Sequence, residues 1–571
     1  MLLDLWFWWR GELEESDLSK CATRVKLDWA AAIAMFVACV LVAAILSSQF
    51  HDPDAYQFVD RAVVGDLHVD PNHLLMGPIA LGAAELLGAV CETCEVMTAF
   101  KWVSALFGAL GCAVFVLLLN VSGVRNRRIV LLVSMGMIFS YNFTFALLAE
   151  EFFIVQLPFL LTALVTMVLA GKGWSHRESL VLGMICGASL ALSALVQVNN
   201  AVTCVALGLW ALYMAFRQSK MRSFLIGMAV SGVTVSIGGF WLGYVVAGPQ
   251  ADFLVWVLSY AGEPNALVNE LYGVRWTVSS IVESMSRSGL AVAQTIIFGG
   301  DVPLILKSEL FGYPLEFELT RHKFVLGVAG LVISIVGWLT VVFYVLKGVV
   351  STRIVGICTV WILAFVAFGV YWNSNHAQYW FQLAPVFWLL VALILTSTFS
   401  RSADRSARAV HVSRAYLSWA GFTIVMAVLN VALSFGPKAF ADVDRIKAEY
   451  LAIVSDGTLV VTPGWEQGWV GEANSGAGFK VINLMEEAVN ESQWHGLTSL
   501  AVTVEAELDS GGRVFVNRLF DRDAYPLPWH DLYNAGWGRK RIADSLAGYC
   551  AIEAGVVGGI TVRELERCGD R

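Results

Sequence analysis

The sequence predicts a polytopic α-helical membrane protein of about eleven transmembrane helices, followed by a small extracytoplasmic α/β domain. Three observations predict it. Of 571 residues, 57% are hydrophobic and only 15% are charged, against about 45–50% and about 25% for an ordinary soluble chain. Apolar runs close to the roughly 20 residues needed to cross a bilayer recur throughout residues 29–436. The charge is also unevenly placed: residues 437–571 hold 13 Lys+Arg and 20 Asp+Glu, whereas the other 436 residues hold 25 and 26. Seven of the eight net negative charges therefore lie in the tail. A chain this apolar cannot cover its surface in water. That excludes a soluble enzyme, a disordered chain and a nucleic-acid-binding protein, and makes membrane lipids its surroundings.

Residues 1–28 read as a cytoplasmic N-terminal segment. The spans then fall near 29–48, 99–120, 129–148, 152–170, 180–198, 201–216, 224–246, 324–346, 354–371, 381–397 and 415–435. Pieces near 72–90 and 290–306 are apolar but interrupted, as interfacial or re-entrant helices are. Two outer connections are long, 49–98 and 247–323.

Orientation follows from the basic residues, which accumulate on the cytoplasmic side of short loops. One set of alternate loops carries Arg125, Arg127 and Arg128, then Lys172 and Arg177, then Arg217, Lys220 and Arg222. It continues with Lys347, Arg353, Arg401, Arg405, Arg408 and Arg414, against only Glu178 and Asp404. The opposite loops hold Glu150-Glu151, Asn199-Asn200 and Tyr371–Trp380, with no basic residue among them. The N-terminus is thus expected in the cytoplasm and the tail outside the cell (inner) membrane. The first span starts too far in, with too many others after it, for a cleaved signal peptide.

The tail, 437–571, alternates strand and helix patterns: Thr458–Thr462 as a strand, Gly496–Leu508 as a helix and Gly511–Val516 as a strand. That order suggests a small layered α/β domain with a structural or acceptor-guiding role. Five of the ten cysteines lie in spans and read as small apolar fillers. On the outer side, Cys550 and Cys568 can pair in an oxidising compartment. Cys91-x-x-Cys94 has no His or Cys partners nearby to complete a metal site.

Ionisable groups at membrane depth are costly, so they mark candidate sites. The richest cluster follows the first span, with Asp52, Asp54 and Tyr56, and then His73. Two carboxylates two residues apart can hold a divalent cation or act as a general base; a solvated acidic loop has the same composition. Glu150 and Glu151 open the fourth span, as a second acid or as a polar boundary. The segment Tyr371–Trp380, with His376 and Tyr379, suits sugar stacking, and equally an interfacial aromatic belt. In the 247–323 loop, Arg275, Arg287 and Arg321 could clamp a phosphate bidentately or meet lipid headgroups.

These segments together resemble the GT-C superfamily of membrane glycosyltransferases, in the branch of protein mannosyltransferases and the lipid A aminoarabinose transferase. Asp52-Pro-Asp54-Ala-Tyr56, followed by Ala62 and Gly65-Asp66, resembles the family's D-E-x-x-Y…A…G-D motif. Aligned on the tyrosine, the leading acid falls on Asp52 and the second one position before Asp54, so the two aspartates are not ranked. His73-Leu-Leu with Pro78 stands where the family has an H-P-P/L-type segment. Glu150-Glu151-Phe-Phe…Gln156-Leu-Pro158 resembles its acid at the start of the fourth span, and His376-Ala-Gln-Tyr379…Leu383-Ala-Pro385 its late H/R-Y-L…P segment. The likeness covers most of 28–400, chiefly as topology.

The chain departs from the pattern after the fifth span, where relatives often have a basic residue and this sequence has Gln197-Val-Asn199-Asn200. The phosphate clamp would then come from the 247–323 loop, or the donor differs. The resemblance implies an inverting transfer of a sugar from a polyprenyl-phosphate donor to an acceptor glycan, lipid or protein on the outer face. It implies Asp52 or Asp54 as general base. Tyr56, His73, Glu150, Glu151, Gln197, Arg275, Arg287, Arg321, His376 and Tyr379 would line the substrates. No cofactor is required, although a divalent cation could sit at Asp52/Asp54. Two other classes fit the same features: an O-antigen ligase or polymerase, which Arg321-His322 keeps in view, and a lipid-linked sugar transporter or flippase.

Overall fold

A computed structural model of the chain describes residues 27–46, 73–90, 96–148, 152–172, 174–248, 252–262, 321–350, 352–371, 380–401 and 406–434 of the helical part. In the C-terminal part it describes 443–454, 457–462, 479–484, 497–517, 544–557 and 560–569, and it adds the single positions 62, 67, 69, 282, 285, 289 and 292. The helices are α1 (Trp29–Ile45), α2 (Met76–Val90), α3 (Val96–Val121), α4 (Arg127–Ile138), α5 (Tyr141–Leu148), α6 (Leu157–Ala170) and α7 (His176–Val196). They continue with α8 (Ala201–Arg217), α9 (Ser219–Ala247), α10 (Phe253–Gly262), α11 (Arg321–Leu346), α12 (Thr352–Tyr371), α13 (Leu383–Arg401) and α14 (Ser406–Ser434).

Each expected span overlaps a helix, except that the third overlaps two, α4 and α5. Among the described residues, six helical stretches are long and apolar enough to cross a membrane, seven if α4 and α5 form one span. That is fewer than the eleven expected. Part of the difference lies in α1, α12 and α13, whose apolar stretches among the described residues are no longer than 17 residues. The piece expected near 72–90 is a single 15-residue helix, α2.

Local chemistry accounts for the helix ends. Asp28 caps α1, its side chain accepting from Ala31 N at 3.1 Å and from Arg127 Nε at 2.8 Å. The backbone N–H of Asp28 donates to Asn120 Oδ1 at 2.9 Å, so one residue ties the start of α1 to the end of α3 and the start of α4. At α7, Ser175 and Glu178 form a reciprocal capping box that satisfies two otherwise orphaned amides.

Packing inside the bundle depends on small residues, as expected where lipid removes the hydrophobic drive between helices. α7 and α9 lie against one another through Gly183, Gly187 and Gly227. A Cβ on any of these would run into a backbone carbonyl of the facing helix, Phe224, Met228 or Leu180 respectively. Ser231 Oγ adds a bond to the Met184 carbonyl at 2.5 Å.

The third expected span is not one straight helix: α4 and α5 are bent by 69° at Phe139-Ser140. The Trp388 ring presses on Gly136, leaving no room there for a side chain. Side chains take up the carbonyls that the break releases. Ser140 Oγ donates to Gly136 O at 2.9 Å, Thr144 Oγ1 to Ile138 O at 2.6 Å, and Asn430 Nδ2 to Phe139 O. Trp388 Nε1 in turn donates to Ser140 Oγ at 2.9 Å. Sharp kinks arise where Gly and Ser sit together or a side chain enters the ladder, and both conditions hold here.

The C-terminal part contains α15 (Val443–Ile453), β1 (Leu459–Thr462), β2 (Lys480–Asn483), α16 (Leu497–Asp509), β3 (Val514–Asn517), β4 (Tyr549–Val557) and β5 (Ile560–Arg567). Its sheet has the order β2-β1-β3-β5-β4. β1 runs parallel to both β2 and β3, while β5 is antiparallel to β3 and to β4. The strands expected near 458–462 and 511–516 and the helix near 496–508 are present, and β4–β5 adds a hairpin. Cys550 and Cys568 are joined, tying the start of β4 to the residue after β5. Tyr450, Val460, Phe515 and Val562 form the core beneath. Cys91 and Cys94 lie outside the described residues.

Candidate functional site

One polar cluster forms where the start of α6 meets the end of α7. Pro158, in the first turn of α6, favours a helix start there. The preceding 3₁₀ turn, Phe152–Gln156, leaves the Gln156 side chain inside the bundle. α7 stops at Val196 because Gln197 turns extended, with φ −152° and ψ 115°. A second 3₁₀ turn, Val198–Asn200, then opens α8. Gln156, Gln197 and Asn200 are 0%, 2% and 1% exposed, so their amides must satisfy one another. Gln156 Nε2 donates to Gln197 Oε1 at 2.9 Å. Asn200 Nδ2 donates to Gln156 Oε1, and to the Ser193 carbonyl at 2.9 Å.

The end of the first outer loop docks on the same place. His73 Nδ1 lies 3.2 Å from the Val196 carbonyl and, facing an acceptor, donates to it. The imidazole meets the Phe153 ring edge-on at 6.2 Å. Leu75 N donates to Leu195 O at 3.1 Å. Leu74 packs with Leu195 and Trp256 from α10. The last residues before α2 are thus held on the end of α7 by polar and apolar contacts together.

The same end holds the two flanks of the segment that carries the acidic pair of the fourth span. α5 ends at Leu148 and the 3₁₀ turn starts at Phe152, one on either side of Glu150 and Glu151. Both flanks rest on α3 at Gly108. A Cβ there would collide with Leu147 from α5 and with Ile154 from the turn. Gly111, one turn on, gives Leu157 the same access. The two flanks are therefore fixed relative to each other by one helix face.

Of the residues expected to form the site, the structure brings His73 and Gln197 together around Val196. Arg321 is the first residue of α11. Asp52, Asp54, Tyr56, Glu150, Glu151, Arg275, Arg287, His376 and Tyr379 lie outside the described residues. The cation considered at Asp52/Asp54 lies there with them. Among the described residues no three His, Cys, Asp or Glu side chains gather as a metal site.

Sequence reasoning did not assign Gln156 or Asn200 to the site. The signal was three uncharged amides at the ends of apolar runs, each needing a partner once buried. Chemically, the amide core can orient and hold but cannot transfer a proton at neutral pH. His73 is a titratable side chain that bonds the backbone beside it, at the Val196 carbonyl.

No protein-family model and no curated protein matches the chain. Solved structures do. ArnT from Cupriavidus metallidurans in the apo state superposes with a TM-score of 0.54 at 11% identity, over 93% of this chain and 97% of that one. The same protein bound to undecaprenyl phosphate gives 0.53 at 13% identity, again over 93% and 97%. The Archaeoglobus fulgidus oligosaccharyltransferase, in complex with zinc and sulfate, gives 0.50 at 16%, over 92% of this chain and 72% of that one. Over nearly its whole length, then, the chain shares the fold of ArnT and of the oligosaccharyltransferase.

Proposed function

We propose that the protein is an integral-membrane glycosyltransferase. It moves a sugar from a polyprenyl-phosphate donor to an acceptor glycan, lipid or protein on the extracytoplasmic face, with inversion. The observation that carries this is the junction of His73, Gln156, Gln197 and Asn200. It joins the end of the first outer loop to the start of α6 and the end of α7, within a fold shared with an ArnT that holds undecaprenyl phosphate. Two segments with family-like motifs, those of His73 and Gln156, thus meet the segment that departs from the family pattern, Gln197–Asn200, at one end of the bundle.

The donor's tail stays in lipid, so the donor enters sideways. Asp52 or Asp54 takes the proton of an acceptor hydroxyl. The oxygen attacks the anomeric carbon, the bond from that carbon to the phosphate oxygen breaks, and polyprenyl phosphate departs. Glu150 and Glu151 serve as a second acid for the same reaction, and Tyr56, His376 and Tyr379 bind the substrates. Arg275, Arg287 or Arg321 stabilises the departing phosphate, a role the neutral Gln197 cannot fill by charge. A divalent cation at Asp52/Asp54 would serve the same end. The N-terminus is cytoplasmic in this reading, and residues 437–571 form a separate outer domain that guides the acceptor.

The test is Asp52→Asn and Asp54→Asn, singly and together, assayed for transfer from a polyprenyl-phosphate sugar in nanodiscs. Loss of general-base catalysis predicts a fall of at least about 10²-fold in the double variant. Wild-type turnover by the folded double variant would remove the proposed base. The bend between α4 and α5 favours a second reading, since transporters build their sites on broken helices. Flipping of a lipid-linked sugar by a folded protein that transfers none would establish that reading instead.

A further inference from the structure

At the far end of the bundle, about 20 Å from the amide core along the 14-residue α6, cations gather without carboxylates to balance them. Arg353, in the first turn of α12, lays its guanidinium against Gly171, where even a methyl group would collide with it. Its Nη2 reaches the Met167 carbonyl at 3.4 Å, a long bond, while its buried Nε donates to nothing. One residue beyond Gly171, partial burial holds the Lys172 ammonium below its ordinary range, and the positive Arg125 nearby adds to the shift. Trp174 is 8% exposed, and its indole N–H has no acceptor.

The carboxylates described on this face are already engaged. Asp28 holds Arg127 and caps α1, and Glu178 closes its own capping box. No ion pair among the described residues includes Arg125, Lys172 or Arg353. The Arg353 Nε–H, the Lys172 ammonium and the Trp174 indole N–H are donors with no acceptor among the described residues. A donor set of one sign at the edge of an apolar bundle fits an anion with several acceptor oxygens, which would also relieve the repulsion between Lys172 and Arg125.

We propose that Arg353, Lys172, Arg125 and Trp174 form a binding site for a phosphate group, filled by the headgroup of an anionic phospholipid in the leaflet opposite the amide core. The recognised chemistry is phosphate oxygen. A lipid brings it to this depth with its tails already in the bilayer, and inorganic phosphate would bring it from solution. The site is independent of the glycosyl-transfer reading and holds whichever face is cytoplasmic.

The experiment uses the full chain in nanodiscs of phosphatidylcholine, with or without phosphatidylglycerol, read by Tm and by native mass spectrometry of retained lipid. Phosphatidylglycerol is expected to raise Tm, because a ligand that binds the folded state stabilises it, and to remain bound through ejection from the disc. Arg353→Gln would disturb the packing on Gly171, so the exposed pair carries the test. Arg125→Gln with Lys172→Gln should cut retention roughly tenfold, as expected for losing two charge-assisted contacts, and abolish the Tm gain. A gain reproduced by inorganic phosphate in phosphatidylcholine discs places the ligand in solution; a gain confined to phosphatidylglycerol makes it the headgroup. Equal retention and equal Tm gain in the double variant would overturn the site.

Discussion

The two ends of the helical bundle solve the same problem with opposite chemistry. At one end, Gln156, Gln197 and Asn200 bury neutral amides that satisfy one another. At the other, Arg353, Lys172 and Arg125 present charge that nothing described neutralises. Neutral amides hold geometry independently of salt and pH, which suits an end where connecting segments are held in fixed places. Charges at the membrane boundary respond to ionic strength and to headgroup composition, which suits anchoring. The difference teaches that the end with family-like motifs is built for fixed placement, and the other for adaptable contact with its surroundings.

The largest blow to this contrast comes at Gln156. Gln156→Leu orphans Gln197 Oε1 in the interior and leaves Asn200 Nδ2 only its bond to the Ser193 carbonyl, at about 1–3 kcal/mol for an unsatisfied group. Tm in detergent should fall strongly, and by the same amount at low and high salt. An unchanged Tm would show that the amides are not each other's partners. Coupling can be read separately: a Gln156→Leu/Asn200→Leu cycle should give an interaction energy of about 0.5–3 kcal/mol, since contacting sites are not additive.

His73→Phe is the milder test at the same end. It keeps an aromatic ring against Phe153 but removes the bond to the Val196 carbonyl, a loss of about 0.5–1.5 kcal/mol. In the glycosyl-transfer assay its effect should be larger than its effect on Tm, because the first outer loop loses its seat on α7. Equal, small effects on both would make His73 a packing residue only.

The smallest effect belongs to the charged end. The hydrogen bond from Arg127, with a lesser one from the Ala31 N–H, holds the Asp28 carboxyl below the usual carboxylate range. A depressed carboxylate pKa stabilises the fold above the ordinary carboxylate value, and this contribution is lost as pH falls through the lowered one. Because the pair is exposed, the loss is less than about 1 kcal/mol. Asp28→Asn should flatten the acid limb of the Tm–pH profile slightly, while Gln156→Leu leaves that limb unchanged. An identical acid limb in Asp28→Asn and wild type would remove Asp28 from the contrast.

Much of this was legible before any coordinates. Apolar runs announced the helices of the bundle apart from α10, which lies in the stretch read as the long connection 247–323, because burial in lipid is a property of composition over about 20 residues. His73 and Gln197 stood out in short motifs. Gln156 did not, since its partners Gln197 and Asn200 are more than forty positions away and nothing local names them. The α4–α5 bend escaped for the same reason, because it depends on Trp388 and Asn430 arriving from later helices. In the tail, β1, α16 and β3 showed their patterns. The β4–β5 hairpin was also readable from alternation on both sides of Gly558-Gly559, but it was overshadowed by the strand–helix order before it.

Composition and short-range pattern were enough to establish a helical membrane protein with a mixed α/β tail, because hydrophobicity and helix periodicity are summed over neighbours in the chain. Tertiary structure alone decided which amides pair, where the third span bends and the order β2-β1-β3-β5-β4. A buried polar group must find a partner wherever the chain supplies one, and that choice is made between segments that sequence distance keeps apart.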